Sequence, residues 1–382
     1  MLRMLALALL VLAAPAAAET LRVATYEAGL SRKGPGLLVH ELENGPSEQA
    51  LAAIALIRAA RPDLLLLNGI DHDLQGRALD ALRARLAEGP DGIDYRHAFT
   101  APVNAGVPSG HDLDGDGRSM RPEDAFGWGR FPGQGGMAVL SRLPIDAAAV
   151  RSFLTLPWAA LPGATLPERP GGAPFPDAAT RGLLRLSSRA HWDVPVILPG
   201  GGRLHLLASQ PTPPLFDGPE RLNRLRNRDE VRFWSLYLGG TALTDDAGHS
   251  AAAPADPVVL AGDLNLDALD GAGERAAIAE LLASPRLADP RPASAGAAAE
   301  AEAGVNGGHD GDPALDTADF DEAPGKSGNL RLDYLLPDAR LAVAGAGVFW
   351  PAPGAALADE AATASRHRLV WVDLGLPGAS AP

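Results

Sequence analysis

The stretch VVLAGDLNLDAL (258–269) ends a run of aliphatic residues with a carboxylate and a carboxamide two positions apart, Asp263 and Asn265. One explanation is conformational, because Gly, Asp and Asn all favour turns. The other is chemical, because side chains two apart on a strand point to the same face and can reach one ligand together. The ends of the other strands in the chain decide between a turn and a site.

Seven short aliphatic runs have the composition of strands. Several are nearly continuous in apolar residues, which is typical of strands covered on both faces. They span residues 21–26, 63–68, 136–141, 204–209, 257–263, 331–337 and 368–374. Helical patterns lie between some of them, at 47–60 with Ser47 as the predicted N-cap, at 228–238 and at 273–284. Strands that alternate with helices indicate a layered α/β domain.

Polar side chains follow most of these strands, and functional residues gather at strand ends in layered α/β folds. The strand ends present Glu27, Asn68 and Gly69, Gln210, Asp263 and Asn265, Asp333, and Arg366 and His367. Each residue is a weak signal alone. Because all of them lie beside strands of one core, together they predict one site.

Three motifs, GDLN (262–265), RLDYLLP (331–337) and SRHRLVWVDL (365–374), resemble those of the endonuclease/exonuclease/phosphatase family. Its members cleave phosphate esters using Mg²⁺. The resemblance covers nearly the whole mature chain and looks closest to exported bacterial members, through segments such as QPTPPLFDGPE (210–220). It implies a four-layer α/β sandwich (DNase I-like), in which two facing mixed β-sheets are flanked by helices and the site lies at one end of the sheets.

Carried over residue by residue, the resemblance leaves four catalytic positions intact. Asp263 and Asn265 match the family's GDxN pair, Asp333 matches the Asp of its RxDYxL strand, and His367 matches its terminal His. In such a site Mg²⁺ takes hard oxygen ligands. A His or Asp prepares the attacking water, and amides and imidazoles stabilise charge on the phosphoryl oxygens.

Five positions depart from the family's pattern. Glu27 replaces the Asn that usually ends the first strand, and Gly69 replaces a metal-binding Glu after the second. Gln210 replaces a His, Arg366 replaces the Asp before the terminal His, and Gly135 stands where related sequences often carry an aromatic residue. A glutamine cannot carry a proton near neutral pH as an imidazole can. The metal site and the proton transfer are therefore both in question.

Two hypotheses address the lost metal ligand. In the first, the permanent cation Arg366 neutralises Asp263, Asp333 or Glu27 and stands in for Mg²⁺. In the second, Glu27 reaches into the space left by Gly69 and restores a carboxylate, and with it a Mg²⁺ or Mn²⁺ ligand, from the neighbouring strand. The second hypothesis repairs the metal site and leaves the lost imidazole unexplained.

A second metal signal lies at 112–123, DLDGDGRSMRPE. Asp112, Asp114 and Asp116, then Gly117, then Glu123 fit the pattern of an EF-hand calcium loop. Carboxylates at alternate positions can surround one Ca²⁺, and the last Glu can bind through both oxygens. The flanking residues do not have helical patterns. The segment is therefore either a calcium site in a non-helical setting or a solvated acidic loop.

Composition and the first residues limit the partners. The chain has no cysteine, which excludes disulfides and thiolate metal sites, and its formal net charge is −14. That charge disfavours long nucleic acid, whose affinity for proteins comes mainly from neutralised phosphates. Residues 1–18 have a basic start, an apolar run too short to span a bilayer, and small residues near the end, as in a secretory signal peptide. We expect a secreted or periplasmic monomer without a membrane segment.

The remainder, 19–382, is predicted to be one domain, with loop insertions at about 157–180 and 290–329. By resemblance it is a metal-dependent phosphoesterase for a small phosphate ester, with a degraded site that is impaired or inactive. The alternative is a non-catalytic binding protein, a pseudoenzyme that uses the remodelled pocket for a small ligand and keeps a structural calcium loop.

Overall fold

The computed structural model describes residues 20–376, and the predicted signal peptide at 1–18 lies outside them. Within that range the chain forms thirteen β-strands, numbered in chain order. They are β1 (Thr20–Glu27), β2 (Leu64–Ile70), β3 (His97–Phe99), β4 (Gly136–Ser141), β5 (Arg151–Ser152), β6 (His191–Ile197), β7 (Arg203–Ser209), β8 (Leu243–Thr244), β9 (Ser250–Ala251), β10 (Val258–Asp263), β11 (Asp333–Pro337), β12 (Ala342–Val348) and β13 (Val370–Gly375).

The same range contains eight α-helices. They are α1 (Leu37–Asn44), α2 (Glu48–Ala60), α3 (Arg77–Ala87), α4 (Ala178–Arg181), α5 (Leu222–Leu238), α6 (Ala276–Leu282), α7 (Ala295–Ala299) and α8 (Ala358–Ala364). Helix α2 begins as predicted, because the Ser47 hydroxyl accepts a hydrogen bond from the Ala50 N–H. Helix α5 begins six residues before the predicted position 228.

The strands form two large sheets and one short hairpin. The six-stranded sheet has the order β12-β13-β1-β2-β4-β3, and the five-stranded sheet has the order β11-β10-β7-β6-β5. Each sheet contains one parallel pair, β1 with β2 and β10 with β7, among antiparallel neighbours. Both sheets are therefore mixed, as predicted. The hairpin joins β8 and β9.

The sheets face each other, and helices cover their outer sides. Successive leucines of β2 show this arrangement, because side chains alternate along a strand. Leu64 and Leu66 pack into the core between the sheets, whereas Leu65 and Leu67 pack against the helices of the other core. Helices α1, α2, α3 and α8 cover the six-stranded sheet, and α5 and α6 cover the five-stranded sheet. The predicted four-layer sandwich is confirmed.

All seven predicted strands are present, and their ends differ from the predicted ones by at most two residues. Two long strands escaped prediction. Strand β6 contains Pro195, which lies opposite His205, whose own N–H donates to Pro257. The hydrogen bonds between β6 and β7 therefore require no N–H at position 195. Strand β12 is built of small residues, and Gly347 lies so close to the Trp371 ring that a Cβ would approach it to 2.9 Å.

The two expected insertions consist of loops and short helices. Segment 157–180 buries Trp158 against α5, and segment 290–329 brings Thr317 and Phe320 to the end of the sheets where β10 and β11 meet. Within residues 20–376, no helix is both long and apolar enough to span a bilayer.

Candidate active site

Two carboxylates face each other across the pair of strands β10 and β11. Asp263 ends β10, Asp333 begins β11, and the register places them directly opposite. Both are buried. Like charges in this position destabilise a sheet unless a cation offsets them. Asp333 is fixed by a 2.9 Å hydrogen bond that its Oδ2 accepts from the Thr317 hydroxyl.

His367 supplies one positive charge to this pair. A 2.8 Å hydrogen bond joins its Nδ1 to Oδ2 of Asp333, and ligand atoms of His367, Asp263 and Asp333 lie within 4.8 Å of one another. Burial disfavours the cation, but the two carboxylates outweigh burial and raise the pKa of His367 to about 10. Burial also raises the pKa of Asp263 to about 7, which His367 partly offsets. The single imidazolium of His367 therefore does not neutralise both carboxylates of Asp263 and Asp333.

Asn265 lies beside Asp263 for a different reason from the one predicted. Strand β10 ends at Asp263, and Asn265 has a left-handed φ of +50°, so strand alternation does not apply. A turn brings its amide back, and Nδ2 donates to Asp263 Oδ2 at 2.9 Å and to the Pro211 carbonyl at 3.0 Å. The turn and the site are thus one feature, because the turn holds the Asp263 carboxylate.

Glu27 occupies the space that a side chain at position 69 would need. A Cβ built on Gly69 would lie 1.6 Å from Glu27 Oε1, and Gly69 has a φ of +70°. The Ser365 hydroxyl donates to the Glu27 carbonyl at 2.7 Å and lies 3.3 Å from Glu27 Oε2. Burial raises the pKa of Glu27, and the nearby His367 opposes that shift. The carboxylate of Glu27 therefore interacts electrostatically with His367 and Asp333, although it is not among the ligand atoms that lie within 4.8 Å of one another.

Gln210 contacts a carboxylate of the site, whereas, among the described residues, Arg366 does not. Gln210 Nε2 donates to Asp263 Oδ2 at 3.2 Å. Arg366 is exposed and forms no ion pair with Asp263, Asp333 or Glu27 in the part of the chain that is described. It precedes His367 in an extended segment, where neighbouring side chains point to opposite sides. The hypothesis that Arg366 neutralises the carboxylates has no support in this geometry.

Arg189 is a site residue that the sequence did not single out. Its Nε donates to the Gly135 carbonyl at 2.8 Å, and its Nη2 lies 3.7 Å from where a Cβ of Gly135 would be. Across residues 20–376 its guanidinium pairs with backbone carbonyls and not with a carboxylate. The sequence signal was indirect, namely a glycine at position 135, whose backbone carbonyl accepts the hydrogen bond from this arginine.

These residues line one cavity of about 940 Å³. Glu27, Asp263, His367, Gln210 and Arg189 form one part of its wall. The rest of the wall is formed by residues of the segments 211–216, 265–272 and 320–332 and by Arg366. The cavity thus has a charged end, at the edge of the two sheets, that can take an anionic group with a bound cation.

A family model for the endonuclease/exonuclease/phosphatase family matches residues 42–367. The chain belongs to this family. A family protein from Beutenbergia cavernae is 22% identical, with 94% of this chain and 72% of that chain covered and a TM-score of 0.53. A family protein from Leptotrichia buccalis is 14% identical, with 93% and 100% covered and a TM-score of 0.49. Sphingomyelinase C from Streptomyces griseocarneus is 19% identical, with 93% and 99% covered and a TM-score of 0.44. No curated protein matches the chain.

The endonuclease/exonuclease/phosphatase family generally depends on a divalent metal, and the residues present here fit one. Asp333 Oδ1 and Gln210 Oε1 are buried and have no hydrogen-bond partner within the described residues. Glu27, Asp263 and Asp333 supply hard oxygen ligands of the kind that Mg²⁺ and Mn²⁺ prefer. A divalent cation would satisfy the free acceptors and the excess negative charge together.

Helix α5 braces the loops that carry the site. Asn227 donates through Nδ2 to the Thr212 carbonyl at 2.9 Å and to the Leu264 carbonyl at 3.0 Å. Glu230 accepts from the N–H groups of Ser188 at 2.6 Å and Thr212 at 2.8 Å. Both α5 side chains are fully buried. The segments before β6, after β7 and after β10 are therefore tied to one helix.

The predicted calcium loop is assembled in part. Ligand oxygens of Asp112, Asp114 and Asp116 lie within 4.8 Å of one another. Three backbone N–H groups of the loop donate to the Asp112 carboxylate, the shortest at 2.7 Å. Glu123, however, is not part of this group, and its carboxylate accepts from Trp128 Nε1 at 3.4 Å. Among the described residues, the aspartates thus come together without the predicted bidentate glutamate.

Proposed function

We propose that this protein is an exported, divalent-metal-dependent phosphoesterase that acts on small phosphate esters. Glu27, Asp263 and Asp333 would hold Mg²⁺ or Mn²⁺. The observation that carries the proposal is the position of the Glu27 carboxylate in the space beside Gly69, because it returns an acidic ligand to the site. Export rests on the sequence of residues 1–18, and we propose a secreted or periplasmic monomer.

Each residue has a distinct task in this proposal. Bound at the carboxylates, the metal would polarise the phosphoryl group and lower the pKa of a bound water. His367, fixed through Nδ1 to Asp333, has Nε2 left to donate to a phosphoryl oxygen in the cavity that it lines. Arg189 brings a second cation to the same cavity. Such donors act best when they are held in place before the substrate arrives.

Gln210 limits the rate in this proposal. Its amide holds Asp263 at 3.2 Å but exchanges no proton at neutral pH. General acid–base catalysis contributes about 10²–10⁴-fold in enzymes that have a suitable group. We therefore expect hydrolysis that depends on metal and is slower than that of a Gln210→His variant by about tenfold or more.

A non-catalytic binding protein is the second candidate. Two features favour it, namely the absence of an imidazole at position 210 and the exposed Arg366 in the cavity wall. In that case the same cavity would bind a small phosphate ester without cleaving it.

Hydrolysis of p-nitrophenyl phosphate and bis(p-nitrophenyl) phosphate, with Mg²⁺, Mn²⁺, Ca²⁺ or EDTA, distinguishes the candidates. We expect the natural protein to hydrolyse these esters only with a divalent metal. The hydrolysis rate should fall by at least about tenfold in Glu27→Gln and stay unchanged in the matched control Glu48→Gln. Glu48 is exposed on α2. Hydrolysis that appears only in Gln210→His would establish the binding protein. Full activity of Glu27→Gln would refute the metal-ligand role of Glu27.

A further inference from the structure

A small apolar cluster lies beside the reacting end of the cavity. Ala318, Leu330 and Leu332 are buried and pack with Phe320, apart from the three larger cores. Phe320, Leu330 and Leu332 line the cavity, and the Phe320 ring meets the His367 ring edge-on, with centroids 5.8 Å apart. The apolar wall therefore begins directly next to a site residue.

A second apolar wall follows Gln210 at the end of β7. It is the segment PTPPLF (211–216), five of whose six residues are proline, leucine or phenylalanine, and all six line the cavity. Phe216 is 90% exposed and Leu215 is 46% exposed. Burying such side chains against protein or ligand removes apolar surface from water and is favourable. Nothing in the described chain covers Phe216.

The segment holds Phe216 in this position rather than letting it fold back. Phe216 has a left-handed φ of +63°, a conformation that costs a residue with a Cβ roughly 1–2 kcal/mol. Its neighbours are fixed, because Asn223 Nδ2 donates to the Leu215 carbonyl at 2.8 Å. Asp217 accepts from the first N–H groups of α5, including that of Asn223 at 2.6 Å. Strain that the surroundings maintain is typical of ligand-binding positions.

The size of the cavity agrees with a ligand larger than phosphate. Its volume of about 940 Å³ is at the upper end of the range for sites that enclose drug-sized molecules, roughly 300–1,000 Å³. The charged end takes a phosphoryl group, and the two apolar walls extend from it.

We propose that the two apolar walls bind the apolar organic group of the phosphate ester, and that Phe216 is the residue that contacts and selects it. This inference rests on the proposed function for the position of the phosphoryl group. Aromatic and alkyl groups share the required chemistry, and the experiment below distinguishes them. Burial of one ring face of Phe216 against the ligand predicts about a tenfold contribution to affinity.

Calorimetric titration with three phosphonates, which resist hydrolysis, measures this contribution. Phenylphosphonate, hexylphosphonate and methylphosphonate are compared in the presence of Mg²⁺ for the natural protein, for Phe216→Ala and for Leu74→Ala. Leu74 is 89% exposed and does not line this cavity, so it is the matched control. Because Phe216 is also exposed, its replacement should leave the thermal unfolding temperature unchanged.

We expect phenylphosphonate or hexylphosphonate to bind at least about tenfold more tightly than methylphosphonate, and the preference to disappear only in Phe216→Ala. A stronger preference for phenyl indicates an aryl ester, and one for hexyl indicates an alkyl ester. Equal affinities in the natural protein, no binding of any phosphonate, or a preference retained in Phe216→Ala would each overturn the inference. A preference without any hydrolysis of phosphate esters would instead refute the proposed function alone.

Discussion

Replacement of Gly69 by alanine tests whether the Glu27 carboxylate occupies the space beside Gly69. A non-glycine residue at a φ of +70° costs roughly 1–2 kcal/mol of backbone strain. The new Cβ would lie 1.6 Å from Glu27 Oε1, so the carboxylate must swing away from Ser365 Oγ, now at 3.3 Å. Loss of that contact costs about 1 kcal/mol. The variant should therefore lose about 2–3 kcal/mol of unfolding free energy.

The same replacement in a Glu27→Ala background should cost only about 1–2 kcal/mol, because no carboxylate has to move. Urea unfolding of the four proteins, with EDTA present, gives a coupling of about 1 kcal/mol between the two positions. Calorimetric Mn²⁺ titration supplies a second readout, in which Gly69→Ala weakens binding by at least about tenfold. An equal cost of Gly69→Ala in both backgrounds, with unchanged Mn²⁺ affinity, would refute the arrangement of Glu27 described above.

Three further predictions concern regions away from Glu27. Burial, and then the charges of Asp267 and Asp270, raise the pKa of Asp316 from its ordinary 3.8 to about 7. The folded state thus holds the proton more tightly, and stability falls as pH rises from about 4 to about 7. Asp316→Asn should gain unfolding free energy over the natural protein at pH 8 and not at pH 4, and equal gains at both would contradict this. Millimolar Ca²⁺ should raise the thermal unfolding temperature of the natural protein but not of Asp114→Ala, and no rise in either would reject the calcium site. Ser47→Ala should cost about 1 kcal/mol of unfolding free energy in urea, because Ser47 Oγ accepts from a first-turn N–H of α2 at 3.2 Å, and Ser47→Thr, which keeps the hydroxyl, should retain most of that stability.

The sequence was most informative where a strand is buried on both faces. The run Leu64–Leu67 is apolar throughout because its side chains alternate between two cores, so continuity alone marked the strand. Strand β12 carries no such signal, because Ala and Gly bury little area wherever they lie. Strand β6 contains Pro195, and only the sheet order reveals that no N–H is needed there.

The sequence predicted which strand ends carry the site residues, but it did not predict the contacts between their side chains. The motif GDLN located Asp263, and the register of β10 with β11 places Asp333 opposite it. Side-chain direction was not predictable from the sequence. Arg366 lines the cavity but forms no ion pair with the carboxylates among the described residues, whereas Arg189, far away in the sequence, lines it with Nε bonded to the Gly135 carbonyl. The contacts of each arginine depend on residues that are distant from it in the sequence.

Helix α5 determines how the segments that carry the site unfold. Through Asn227 and Glu230 it holds the segments before β6, after β7 and after β10 by bonds to Ser188, Thr212 and Leu264. None of these segments can open alone without leaving a fully buried polar group unpaired. Their amide protons should therefore exchange with deuterium at a common rate, set by release of α5. In denaturant, ligand binding and helical structure should disappear in a single cooperative transition.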